Sequence, residues 1–389
     1  MSTAAFGRVA IVHDWLTGMR GGERVLETLV RHLGEVEVFT LFHQPGSVAP
    51  TIEAVPIHTS FLNRLPAIRR FYRLYLPLYE RAVECWDFAG FDRVVSISHC
   101  VAHGAVVAPD VPHVCYCLTP VRYAWDQGPT YFAEIAPPRI ARMLPALLSG
   151  MRAWDVGASH RVDRYVAISA HVARRILRFY RRRATVVHPP VDTDFFSPGG
   201  QREGYFLLVS ALVPQKGIRL AIETFNRLQR PLLIVGKGPL RRRLEALAGQ
   251  TVRFLGWQSD VALRRLYRQC RAVVFPGEED FGIVPLEAQA CGRPVIALAR
   301  GGALETIRES ETGLFFPEPT VESLTTAIRR LDCAQFDVDA CRAHAELFSV
   351  ARFLAAFDRA VLDSGGEAPP DHGARTCTAP ASDVDPVPD

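Results

Sequence analysis

The sequence predicts an α/β protein made of two doubly wound domains in series, and three observations carry that expectation. Short β-branched and apolar runs alternate with helix-patterned segments, as they do when a parallel sheet is covered on both faces. The alternation stops at a polar, Pro/Gly-rich stretch, "HPPVDTDFFSPGGQREG" (188–204), and then restarts. With 389 residues the chain is also too long for one ordinary core.

In the first half, strands are expected at "VAIVHDW", "VEVFTLF", "RVVSIS", "HVCYCL" and "YVAIS". Between the first two lies "GGERVLETLVRHL", whose Val25, Leu26, Leu29 and Val30 fall on one helical face. In the second half the strands are "YFLLVSAL", "PLLIVG", "VRFLGW", "AVVFPG" and "PVIAL". The expected layout is a first domain over 1–197, a linker over 198–204, a second domain over 205–345, and a helix over 346–363 packing back toward the first domain. Residues 364–389 hold few large apolar side chains and much Pro, Gly and Asp, which predicts a disordered tail. Ligands of such folds sit beyond the carboxyl ends of strands, so the expected site is the cleft between the domains.

An apolar fraction of 48% with 22% charged residues is that of a globular protein with a large core. The net charge of +4 is small and argues against a nucleic-acid partner. The nine cysteines include no C-x-x-C pair, so neither a zinc site nor a disulfide framework is indicated and a reducing cytosol is expected. No secretory leader pattern and no apolar stretch of ~20 residues is visible. The expected location is therefore cytoplasmic, in solution or at the inner face of the membrane.

Almost every basic residue is arginine; Lys216 and Lys237 are the two lysines. Lys216 lies in "VSALVPQKGIRLAIETF", between the first strand of the second domain and the next helix. An ammonium beside the free N–H groups of a helix start suits a phosphate, although a lone lysine is more often a solvated surface group. A second strand-to-helix loop, "DWLTGMRGGERV", offers Gly18, Gly21 and Gly22. Its spacing matches neither the dinucleotide fingerprint nor a P-loop, and a plain turn is the alternative. Two such loops, one per domain, could grip one diphosphate from both sides of a cleft.

The stretch "EEDFGIVPLEAQACGRPVIA" (278–297) reads as a loop followed by a helix with Pro285 in its first turn and Gly292 as its stop. Phe281, Gly282, Ile283 and Val284 would present backbone N–H groups there, with Glu279 and Glu287 flanking them. Carboxylates accept hydrogen bonds from hydroxyls, so a molecule joining a phosphate to polyhydroxyl groups would satisfy the arrangement; a nucleotide sugar is one. Alternatively Glu287 only complements the helix dipole and Glu279 is a solvated loop charge.

"FPGEEDFGIVPLEAQACGRPVIA", followed by "GGALETI" and "ETGLFF", resembles the signature region of retaining GT-B glycosyltransferases of family 4. Within them the chain is similar to the WbaZ-like GDP-mannose-dependent mannosyltransferases, because "VHDWLTGMRGGERVLE", "CYCLTPVRYAWD", "VHPPVDTDFF" and "VPQKG" match that group in order. The likeness runs from about Val9 to Leu362. It implies a GT-B fold, two Rossmann-like domains facing an interdomain cleft, with the first domain on the acceptor side. Glu279 would hold sugar hydroxyls, with the backbone of Phe281 to Val284 near the sugar and diphosphate. Glu287 would accept the ribose hydroxyls, and Lys216 would neutralise the diphosphate across from the Gly21-Gly22 loop. The resemblance implies retention at the anomeric carbon, no cofactor and no metal. The implied acceptor is a glycan on a lipid carrier.

Two positions depart from the group. Ala211 stands where many relatives carry an arginine beside the diphosphate, a loss of about 1.5–3 kcal/mol that Arg219 could offset. Leu118 stands where the subgroup often has a histidine, which leaves His99, His103 and Arg122 as the acceptor-side candidates. "DTD" at 192–194 is read as a turn after a double proline rather than a metal-binding pair.

"FLNRLPAIRRFYRLYLPLYERAV" and "PPRIARMLPALLSGMRAW" mix apolar residues at helical spacing with arginines. Such segments either lie on an anionic membrane surface or form core helices with a solvated arginine face. The resulting expectation is transfer of a hexose, mannose from GDP-mannose, to a lipid-linked glycan. The rivals are a nucleotide-sugar-binding protein without transfer activity and an NDP-sugar epimerase.

Overall fold

The structure is a computed structural model that describes residues 6–126 and 138–362. The first sheet holds β1 (Val9–His13), β2 (Val36–Thr40), β3 (Ile57–Thr59), β4 (Arg93–Ser98), β5 (His113–Cys117), β6 (Arg164–Ala167) and β7 (Ala184–Val186). Their order is β3-β2-β1-β4-β5-β6-β7, all parallel. The second sheet holds β8 (Phe206–Val209), β9 (Leu232–Val235), β10 (Val252–Gly256), β11 (Ala272–Phe275), β12 (Val295–Leu298) and β13 (Gly313–Phe316), in the parallel order β10-β9-β8-β11-β12-β13. Both orders reverse at a central pair, β1/β4 and β8/β11. Loops leaving the carboxyl ends of such a pair diverge and open a crevice, which is where the residues below converge.

Every residue of β1, β5, β11 and β12 is buried, because helices cover both faces. The strands that carry no strong apolar run in the sequence are β3 and β7, the two edges of the first sheet. An edge strand pairs on one side only, so its residues need not be uniformly apolar; β3 and β7 have three residues each, two of them exposed.

The helix Gly21–Leu33 buries Val25, Leu26, Leu29 and Val30 against the first sheet. The helix Val350–Leu362 also lies on the first domain: Phe353 and Phe357 pack on Tyr116, while Arg93 and Arg164 donate to the carbonyls of Val361 and Ala360, each at 2.6 Å. The expected tail, 364–389, lies outside the described residues.

The first basic segment is not one helix. Pro66 and Pro77 divide residues 61–83 into short α and 3₁₀ turns. Ile68, Leu76 and Tyr79 enter a core with Trp15 and Phe42, so their apolar side is occupied by the protein itself. In the second segment Pro137 lies outside the described residues, and the helix Pro138–Ser159 sends Leu148 and Met151 into the same core. Among the described residues no helix is long and apolar enough to cross a membrane.

Candidate functional site

The loop that follows β11 carries Glu279, and it is fixed by close backbone approaches. Gly217 has φ 66°, and a Cβ there would stand 2.6 Å from the carbonyl oxygen of Pro276; at Gly302 a Cβ would stand 2.3 Å from the Cα of Phe281. Glycine at these points lets the Lys216 turn and the 301–302 turn press on the loop from two sides. The Gly302 N–H donates to the Glu279 carbonyl at 2.8 Å. Lys216 ends a 3₁₀ turn before the helix Ile218–Leu228, and its Nζ lies 2.8 Å from Glu279 Oε2. The two residues singled out from separate motifs therefore meet.

The helix Ile283–Ala290 begins after Gly282, at φ 108°, with no side chain capping its first turn. Those N–H groups and the helix dipole form an anion-attracting end. Gly21 from the first domain faces it closely: a Cβ there would be 3.1 Å from Ile283 Cδ1. At Gly22 a Cβ would lie 2.8 Å from Leu118 Cδ1, so Leu118 packs against the glycine loop. The Phe281 side chain turns into the core and stacks on His188, centroids 5.3 Å apart. Val284 packs on the second-domain core.

Glu287 is buried and accepts from the Tyr267 hydroxyl at 2.7 Å. With Arg24, Asp192, Phe196 and Ile283 it lines an interdomain cavity of about 240 Å³. Arg24 crosses to the second domain and binds Asp260 at 2.6 Å. Burial raises the Glu287 pKa to about 7, with Arg24 and Tyr267 opposing and Asp260 adding to the rise. Glu279 and Glu287 thus have separate partners on either side of the helix start.

The raised pKa predicts a stability slope. Between its ordinary value of 4.5 and about 7 the folded Glu287 holds more proton than the unfolded one, so stability falls as pH rises through that window. The loss should reach roughly 3 kcal/mol. Urea melts at pH 5 and pH 8 should show that loss in the natural protein and a much smaller one in Glu287→Gln; equal losses in both would remove Glu287 as its source.

Three further candidates have partners of their own in the fold. Arg219 stands on the outer face of its helix, highly exposed, and pairs with Glu223 at 2.6 Å; the buried face belongs to Ile218, Ala221, Ile222 and Phe225. His103 is buried between Ser98 (3.3 Å) and Asp155 (3.2 Å), where it ties the end of β4 to the helix Pro138–Ser159. Arg122 leaves the end of β5 and reaches the second domain, with its Nη2 2.5 Å from Asp280 Oδ2.

His99 remains at the carboxyl end of β4, its Nδ1 3.0 Å from Asp14 and its ring edge-on to Trp15 at 4.4 Å. Burial disfavours a charged ring, yet the adjacent Asp14 carboxylate raises the His99 pKa. Asp14 is fully buried and accepts the backbone N–H groups of His99, Cys100, Val101 and Ala102 at 2.7–2.9 Å. His13, also buried, stands 3.9 Å from Glu23, beyond hydrogen-bond reach. Asp192 closes a turn by accepting the Phe195 N–H at 2.9 Å.

Sequence reasoning missed Asp280, Arg175, Tyr267 and Arg24. Asp280 was visible as the third of three consecutive acids; the others look like ordinary helix residues. Burial works to raise the Asp280 pKa, but Arg122, then Arg175 and His171, hold it below its usual value.

Residues 19–195 match the family described as Glycosyltransferase Family 4, and residues 192–332 match glycosyl transferases group 1. A D-inositol 3-phosphate glycosyltransferase of Mycobacterium sp. is 36% identical over 34% of this chain and 35% of its own. A glycosyltransferase of Methanocaldococcus jannaschii is 27% identical over 45% of this chain, a match spanning about half (51%) of that relative's length. The lipopolysaccharide outer core galactosyltransferase WaaB superposes with TM-score 0.64 at 16% identity, over 91% of this chain and 99% of its own. Anabaena HepE, solved in complex with UDP and glucose, superposes with TM-score 0.66 at 16% identity, over 91% and 98%. The chain thus has the GT-B glycosyltransferase architecture, a family 4-type segment followed by a group 1 segment, each built on its own parallel sheet.

Proposed function

We propose that the protein is a retaining hexosyltransferase that moves mannose from GDP-mannose to a lipid-linked glycan at the inner face of the membrane. The observation that carries this reading is the contact of Lys216 with Glu279 at 2.8 Å, at the carboxyl end of β11 and beside the uncapped helix start at Ile283. A cation and a carboxylate in mutual contact match a ligand that carries a diphosphate next to hydroxyl groups: the phosphate takes Lys216, and the hydroxyls take Glu279. Glu287, reached from the cavity beside Arg24, accepts the ribose hydroxyls. HepE is known with UDP and glucose, which supports a nucleotide sugar as the donor class.

In the transfer, the bond from the anomeric carbon to the diphosphate oxygen breaks and a bond from that carbon to the acceptor oxygen forms. The acceptor proton passes to the leaving diphosphate. Lys216 and the N–H groups of residues 282–284 stabilise the charge that builds on that oxygen, and such preorganised donors act mainly in the transition state. The GDP-mannose assignment rests on the order of the sequence motifs.

A thermal-shift comparison of GDP-mannose, UDP-glucose and a dTDP-sugar tests the donor. At a hundredfold excess over Kd the true donor stabilises by about 2.7 kcal/mol, enough to raise Tm by several degrees. A larger shift with a UDP-sugar would overturn the assignment. Conversion of the donor to its epimer without acceptor would point to an epimerase, and binding with no product across acceptors to a binding protein.

A further inference from the structure

We infer that Asp280, held by Arg122 and Arg175, locks the two domains together and seats the Glu279 loop for transfer, so that these three are positioning residues. Glu279 and Asp280 are consecutive but belong to opposite sides of the interface. Glu279 bonds within its own domain, to Lys216 through its side chain and to Gly302 through its carbonyl. Asp280 looks the other way. Its carboxylate meets Arg122 at 2.5 Å, Arg175 at 3.4 Å and His171 at 3.8 Å, and its carbonyl accepts from the Ser169 hydroxyl at 2.6 Å. All four partners are first-domain residues.

The Asp280 side chain is only 12% exposed, and a carboxylate so withdrawn from water is stable only while its cations are present. Separation of the domains would remove them together. A second contact lands on the same first-domain helix, Ala170–Tyr180: Glu305 accepts the N–H groups of Ala170 and His171 at 2.8 and 2.9 Å. Glu305 sits in the helix Ala303–Thr306, which begins after Gly302, the residue that holds the Glu279 carbonyl. The loop bearing Glu279 and the turn supporting it are therefore both docked on one helix start of the other domain. Rigid support of this kind fixes a sugar-contacting carboxylate to the fraction of an ångström that catalysis needs. Nucleotide binding at Lys216 does not require it.

The kinetic part of this inference rests on the transferase reading; the lock itself does not. The test compares the full chain with Asp280→Asn, Arg122→Gln and Arg122→Lys. Hydrogen exchange without ligand should be faster, by roughly 10-fold or more, in peptides covering 278–286 and 169–175 of Asp280→Asn and Arg122→Gln, with Arg122→Lys closer to the natural protein. In transfer from GDP-mannose, kcat of Asp280→Asn should fall ~10- to 100-fold while the Kd for GDP changes less than about 3-fold. Unchanged exchange in Asp280→Asn overturns the lock whatever donor the protein uses. Faster exchange with unchanged kcat overturns the positioning role. Faster exchange in a protein whose natural form transfers nothing from GDP-mannose supports the lock and sinks the donor assignment. Should Asp280→Asn fail to fold, Arg122→Gln carries the same comparison.

Discussion

Lys216→Ala and Glu279→Ala should each lower kcat/KM for sugar transfer by about 10²–10³-fold, the usual cost of removing one preorganised charge from a developing oxyanion or sugar contact. The two losses should not add. The groups touch at 2.8 Å, so each variant already releases its partner from the geometry found here, and the double variant should fall little below the worse single one. Lys216→Ala should act mainly on kcat, because the charge it neutralises grows as the diphosphate leaves; Glu279→Ala should act on both parameters. Each side chain is only partly buried, so neither change should shift Tm by more than a degree or two. Steady-state kinetics with a calorimetric melt on the same preparations separates the effects. Near-normal turnover in both variants would remove this pair from the chemistry.

The largest stability effect is expected at Asp14. Its carboxylate terminates four backbone N–H groups in the turn after β4 and also faces His99, all in a fully buried setting. Asp14→Ala strands those donors away from water, which should cost on the order of 3–5 kcal/mol and lower Tm by roughly 10 °C. Asp14→Asn keeps one acceptor oxygen but presents an NH₂ group to donors, so it should fall between the alanine variant and the natural protein. The natural protein should also show this site in its acid response. Burial works to raise the Asp14 pKa, but His99 and the hydrogen bonds at that turn hold it well below its ordinary value of 3.8. The unfolded chain therefore binds a proton first as pH drops, and the stability this carboxylate contributes, complete above about pH 4, is lost as acid is added below that point. Asp14→Asn should have a flatter stability profile between pH 4 and 2. Parallel profiles would place the source elsewhere.

The sequence already disclosed the buried strands, the helix that begins at Gly21, the restart near residue 204 and the Lys216 and Glu279 motifs. It could do so because those signals are local: a strand covered on both faces must be apolar along its length, and a strand-to-helix loop near an anion favours glycine and lysine whatever surrounds it. Edge strands β3 and β7 escaped because pairing on one side relaxes that demand. The 61–83 segment shows the limit from the other direction, since its apolar spacing marks burial correctly while Pro66 and Pro77 break the helix it suggests.

Only the tertiary structure decided how the charges pair. Arg122 and Arg219 are equally plausible cations in one dimension; the fold puts Arg122 on Asp280 across the interface and leaves Arg219 on an outer helix face beside Glu223. It likewise turns adjacent Glu279 and Asp280 toward different domains and gives His103 to Asp155. Periodicity and turn chemistry act over a few residues and can be read along the chain. Which side chains share a buried volume depends on how two sheets far apart in sequence settle against each other, and no local pattern records that.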